Sequence, residues 1–189
     1  MRVIKSVVTT DAILTSSNIP EDEYPAWVSG TSYTALDKVI YEHKIYERII
    51  TGAGTTPPDL DQVNWLDSGY TNRYRMFDNI ISSVSSRTGS IEFTLTPNQV
   101  INGIALLNVN ASTVRVVMND SIEGVVYDRT KELRSSSNVI DYYSYFFAPL
   151  INLGDLDTAI FLDLPNKPTA TITVYVSAGS RSEERRVGK

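Results

Sequence analysis

Apolar and polar residues alternate along residues 91–95, with Ile91, Phe93 and Leu95 on one side and Glu92 and Thr94 on the other. That period of two is the mark of a half-buried β-strand. The pattern returns at 171–176, where Ile172, Val174 and Val176 oppose Thr171, Thr173 and Tyr175. Between them lie apolar, β-branched runs at 104–109, 113–118, 124–127 and 158–162. Turn formers separate the runs: Pro97 and Asn98, Asn119 and Asp120, Gly154 and Asp155, and residues 165–168 with a proline at each end. Short strands at such spacing predict an antiparallel β-sandwich or jelly roll. Residues 2–9 read as a first strand belonging to the same sheet system. Helix is expected only in short pieces, one after Ser17 and Asn18 where acidic residues follow, the other across 71–77.

The serine-rich stretch at 82–90, after the glycine and aspartate near 67–69, places a boundary between two units. The expected organisation is an all-β chain. An N-terminal strand within 1–19 joins the larger domain, a small aromatic-rich β module covers 20–68, and the larger sandwich covers 69–180. The last nine residues, 181–189, carry six charges after a sparsely charged stretch. This nonapeptide resembles a translated sequencing adapter. It is set aside as a non-native tail, with the natural chain expected to continue past Ser180.

Composition then removes whole classes of chemistry. The chain of 189 residues has no cysteine and a single histidine, His43. A disulfide framework, a thiol nucleophile and a zinc site built on several imidazoles or thiolates are therefore excluded. The net charge of −5 supplies no basic stripe for phosphates, so no nucleic-acid partner is expected. No apolar run approaches the roughly 20 residues of a membrane span. The N-terminus lacks the apolar core of a signal peptide.

Aromatic residues are ordered through 27–65: Trp27, Tyr33, Tyr41, Tyr46 and Trp65, with Asp37, Val39 and Pro57 among them. That series resembles the small chitin- and cellulose-binding modules attached to glycoside hydrolases. It departs from them at Leu36, where those modules carry glycine, and at residues 42–44, where a turn glycine is replaced by Glu42, His43 and Lys44. In those modules aromatic faces stack on the apolar face of sugar rings, so the resemblance nominates Trp27, Tyr33, Tyr46 and Trp65 as carbohydrate-binding residues. The same rings equally serve as the core of so small a module. Tyr41, alternating with Val39, is expected in the core.

The larger domain adds further landmarks at residues 71–78, 104–109, 125–128, 141–149 and 162–165. Together with the small module they resemble a family of tailed-phage and prophage virion proteins, in which a sugar-module-like insert precedes a discoidin-like β-domain. The resemblance implies a structural component of the tail or head–tail region, located in the virion after synthesis in the bacterial cytoplasm. Its implied partners are other virion proteins and further copies in a symmetric homo-oligomer, with cell-surface glycans as a further contact. A carbohydrate-binding module cut from a larger glycan-active enzyme is the alternative. Within 141–147, read as a strand, alternation puts Tyr143, Tyr145 and Phe147 on one face and Tyr142 and Phe146 on the other. One face belongs to the core. The other is either covered within the chain or offered to a partner, with Tyr142, Tyr145 and Phe146 as interface candidates.

Catalytic patterns are missing from the sequence. His43 sits between Glu42 and Lys44 in an expected hairpin turn, and there is no Gly-x-Ser-x-Gly elbow. Residues 52–57 lack the lysine of a phosphate loop. Asp155, Asp157 and Asp163 do not have the spacing of an EF-hand. No enzyme, metal or cofactor is expected.

Overall fold

The computed structural model describes residues 7–78, 80, 82–133, 142–147 and 157–177. The chain is an all-β sandwich protein with only short helical pieces. It divides into two units, one formed by Ser17–Arg87 and the other by Met1–Ser16 together with Thr88–Lys189.

The larger unit is built on a five-stranded sheet. Its strands are β1 (Leu14–Ser17), β7 (Ser90–Leu95), β12 (Thr171–Ser177), β9 (Thr113–Asp120) and β10 (Gly124–Glu132), in that spatial order. Strands β8 (Ile104–Leu106) and β11 (Ala159–Phe161) pair as a second, two-stranded sheet. Alternation does what the sequence predicts. Phe93, Val114, Val116, Met118, Ile172 and Val174 are all buried, and β12 pairs antiparallel with both β7 and β9 to bring them together. The opposite side of the sheet is polar, with Thr94 beside Thr173 at 3.2 Å and Arg115 forked onto Asp128 at 2.8 and 2.5 Å. Asp120 organises the β9–β10 turn. Its carboxylate accepts the N–H groups of Ile122 and Glu123 and the hydroxyl of Thr169. Those bonds hold its pKa below the usual carboxylate value.

The first strand is not where the pattern put it. Residues 7–9 are irregular, residues 1–6 lie outside the described set, and the strand that joins the sheet is β1, Leu14–Ser17. Only Leu14 of β1 is buried, so burial left a weak alternation to read.

The smaller unit contains β2 (Thr31–Tyr33), β3 (Lys38–Tyr41), β4 (Lys44–Arg48), β5 (Gly52–Gly54) and β6 (Trp65–Tyr70). Strands β3, β4 and β6 form one antiparallel sheet, and β2 and β5 form another. Residues 69–87, expected with the larger domain, belong to this unit. Tyr70 pairs with Lys44 in the sheet, the Thr71 N–H donates to the His43 carbonyl at 2.9 Å, and Arg73 Nε donates to the Ile19 carbonyl at 2.8 Å. The helical piece expected over 71–77 is a single 3-10 turn, Arg75–Phe77. No helix follows Ser17 and Asn18, whose segment runs as bends.

Candidate functional site

The aromatic series of the small unit is assembled by two backbone devices. The first is the β3–β4 hairpin, closed by the two residues Glu42 and His43 with Tyr41 paired to Lys44. Both have left-handed backbone, φ 46° and 64°, which is the geometry of a type I′ turn and normally selects asparagine and glycine. The hairpin sets Val39 beside Tyr46, and β6 then brings Trp65 beside Arg48. The second device is β5, where Gly54 lets the backbone approach the rings closely. A Cβ there would lie 3.2 Å from the Tyr33 ring and 3.3 Å from Trp27 Nε1.

The result is a packed cluster of Tyr33, Val39, Tyr46 and Trp65, with Trp27 and Tyr41 against it. Tyr33 meets Trp65 edge to face at 5.1 Å, and Trp27 meets Tyr41 edge to face at 5.4 Å. The Tyr33 hydroxyl accepts the Val28 N–H at 2.8 Å and donates to the Val28 carbonyl at 3.2 Å. Tyr33, Tyr46 and Trp65 are 8%, 5% and 2% exposed. Three of the four rings nominated for sugar stacking are therefore core, because a ring so enclosed has no face to offer a pyranose. Trp27 is half-buried, and its indole N–H points into the unit without a hydrogen-bond partner among the described residues. Tyr41 is half-buried against the cluster rather than fully inside it.

One residue of this core was not singled out from the sequence. Arg48 is only 3% exposed. Its Nε donates to the Ile50 carbonyl at 2.6 Å and its guanidinium lies 4.9 Å over the Trp65 ring. Nη1 has no hydrogen-bond partner among the described residues. The charge thus rests on the π face of a tryptophan and one carbonyl. The sequence signal was faint: Arg48 lies two residues after the buried Tyr46 on β4. At the start of the same strand Lys44 is bonded to Asp67 of β6 at 2.6 Å. Burial works against the Asp67 charge, but the Lys44 ammonium and the Gly69 N–H outweigh it and hold the carboxyl below its usual value.

His43 is likewise committed. Its Nδ1 lies 2.9 and 3.1 Å from the two oxygens of Glu21, and its ring stacks on Tyr74 at 4.1 Å. Thr71 donates its hydroxyl to the same Glu21 at 2.7 Å. Beside it, Glu23 Oε1 accepts the Asn72 N–H. This network pins residues 21–23 and 71–74 to the hairpin turn. Among the described residues no group of three or more acidic, histidine or cysteine side chains is placed to hold a metal ion. Asp155 lies outside the described residues, while Asp163 accepts the Tyr127 hydroxyl at 2.6 Å.

The run at 142–147 is not a strand. It forms the helix α1, Tyr142–Phe147, in which Tyr142 meets Phe146 edge to face and Tyr143 meets Phe147 at a tilt, each pair 4.8 Å apart. These are i, i+4 neighbours, which meet on a helix and not on a strand. None of its described side chains forms the expected core face. Tyr142, Tyr143, Phe146 and Phe147 are all exposed, by 58–80%. The interface candidates Tyr142 and Phe146 are thus on the surface, and the side chain of Tyr145 lies outside the described residues.

Comparison of the chain with protein-family models, curated proteins and solved structures returned no match. The chain has two units and an all-β fold, with Tyr33, Tyr46 and Trp65 packed inside the small unit and Tyr142, Tyr143, Phe146 and Phe147 exposed on one short helix.

Proposed function

We propose that this chain is a structural component of a tailed-phage particle, in the tail or head–tail region, which works by packing against other subunits and performs no chemistry of its own. The observation that carries the reading is helix α1. Its rings Tyr142, Tyr143, Phe146 and Phe147 are exposed, and such apolar surface is the usual mark of a protein contact. The virion assignment is supported by the ordered residues that resemble tail-associated proteins. The burial of Tyr33, Tyr46 and Trp65 favours assembly over glycan capture, since of the four nominated rings it leaves Trp27 alone partly accessible.

Quantitative mass spectrometry of particles purified from producing cells is the test. The chain should be found in them at a fixed ratio to the other particle proteins. Its absence from intact particles would overturn the reading.

A further inference from the structure

One asparagine of the chain is followed by glycine, Asn102 before Gly103. The pair lies in the irregular segment that leads into β8, whose first residue, Ile104, pairs with Phe161 of β11. Asn102 is exposed, and its side chain makes no hydrogen bond among the described residues. Other asparagines are tied down. The Asn64 amide donates to the Asp61 carboxylate at 2.9 Å, and the Asn72 amide to the Ser86 carbonyl at 2.7 Å.

Space, and not backbone conformation, selects the glycine. Gly103 does not have the positive φ of Gly30 or Gly124. A Cβ on it would lie 3.0 Å from the Phe161 carbonyl oxygen and 3.0 Å from Leu162 Cδ2. That carbonyl belongs to the strand paired with β8, so it cannot give way without loosening the pairing. The close approach that opens the two-stranded sheet thus keeps glycine directly after an exposed, unheld asparagine.

We propose that Asn102 and Gly103 form a self-modifying site, at which the side-chain amide is lost and the main chain rearranges. The Gly103 nitrogen attacks Asn102 Cγ, forming a C–N bond as the Cγ–Nδ2 bond breaks. The Gly103 amide proton leaves with Nδ2 as ammonia, and a cyclic imide remains. Water then opens the ring at either carbonyl. Opening at the main-chain carbonyl gives isoaspartate at 102, and opening at the side-chain carbonyl gives aspartate. Nothing is oxidised or reduced. Every other asparagine is followed by a residue whose side chain crowds the attacking nitrogen, as the branched Val109 does after Asn108. In the isoaspartate form the main chain runs through Cβ and Cγ and is one atom longer. That atom enters directly before the contact that selects glycine, so Gly103 no longer meets Phe161 and the β8–β11 pairing is lost. The reaction needs only this chain and water, and so stands apart from the assembly reading.

The test is peptide mapping by mass spectrometry of the folded, full-length chain, aged in mildly alkaline buffer. Conversion of amide to acid should accumulate at 102 many-fold ahead of Asn98 and Asn108, which are also exposed. The product should include isoaspartate, detected by its methylation with an isoaspartyl methyltransferase. Conversion at 102 no faster than at Asn98 and Asn108 would overturn the proposal. Circular dichroism melts then read the rearrangement. Aged wild type, isolated by anion exchange, should melt below the fresh protein. Freshly prepared Asn102→Asp carries the charge without the inserted atom, and aged Asn102→Gln disfavours ring closure, so both should melt with the fresh protein. An aged wild type that keeps its original Tm would overturn the claimed loss of β8–β11 pairing. None of these results bears on whether the chain is found in particles.

Discussion

Leu36 offers a comparison whose sign can be worked out in advance. Its left-handed backbone, φ 74°, costs a residue with a side chain about 1 kcal/mol more than it costs glycine, net of glycine's greater freedom in the unfolded chain. The side chain is 74% exposed. Only about a quarter of its apolar surface is withdrawn from water, worth on the order of 0.5 kcal/mol. Leu36→Ala loses that burial and keeps the strain, so the small unit should weaken by about 0.5 kcal/mol. Leu36→Gly loses the burial but relieves the strain, so it should gain about 0.5 kcal/mol, or some 2–4 °C in Tm for a unit of this size. Both tryptophans, Trp27 and Trp65, belong to the small unit, so their fluorescence in urea or on heating follows that unit alone. A glycine variant less stable than the alanine variant would refute the strain argument.

Trp65→Ala should cost about 3–5 kcal/mol and unfold the small unit, whereas Trp27→Ala, at a half-buried ring, should cost well under half of that; equal losses would contradict the packing described. Arg48→Met should be tolerated far better than Arg48→Ala, near neutral against a loss of about 2 kcal/mol in urea titrations, because methionine keeps contact with Trp65 and removes a poorly satisfied charge; an Arg48→Met variant as unstable as Arg48→Ala would mean the charge itself is needed. Burial, with the hydrogen bond to Asp163 second, pushes the Tyr127 hydroxyl up to about 12 from its ordinary value of 10.0. Its folded pKa is raised, so its contribution to the larger unit is complete below pH 10 and is lost as pH climbs toward 12; alkaline melts should show this loss in wild type and not in Tyr127→Phe. Chitin or cellulose beads should retain no more wild-type chain than Trp27→Ala chain, and retention that falls on this substitution would restore a sugar platform.

Much of the larger sheet was legible because its strands obey a period of two. Val114, Val116 and Met118 on β9, and Ile172 and Val174 on β12, alternate with polar neighbours and are buried as the pattern requires. The aromatic run at 142–147 carries no such alternation. A run of rings broken only by Ser144 suits either period, and in the helix the i and i+4 rings meet. The small unit's aromatics were legible as a set but not as exposed or enclosed, since the same residues build a module's core or its sugar face. The departures from the resembling modules proved more informative. Leu36 stands where those modules carry glycine and Glu42 and His43 lie in the stretch that replaces their turn glycine, and all three have positive φ. The pinning of His43 by Glu21 joins residues 22 positions apart, a separation that carries no local signal.

The order of strands has a consequence for how the chain folds. In the large sheet β1 neighbours β7, yet the whole small unit, Ser17–Arg87, lies between them in sequence. Closing so long a loop as random coil carries a substantial entropic cost. A small unit that folds first removes that cost by fixing most of the intervening chain, so synthesis from the N-terminus presents β1 with its neighbour only after the insert has become a single body. Mutations that slow the small unit should then delay the larger sheet as well, although the residues they change are no part of it.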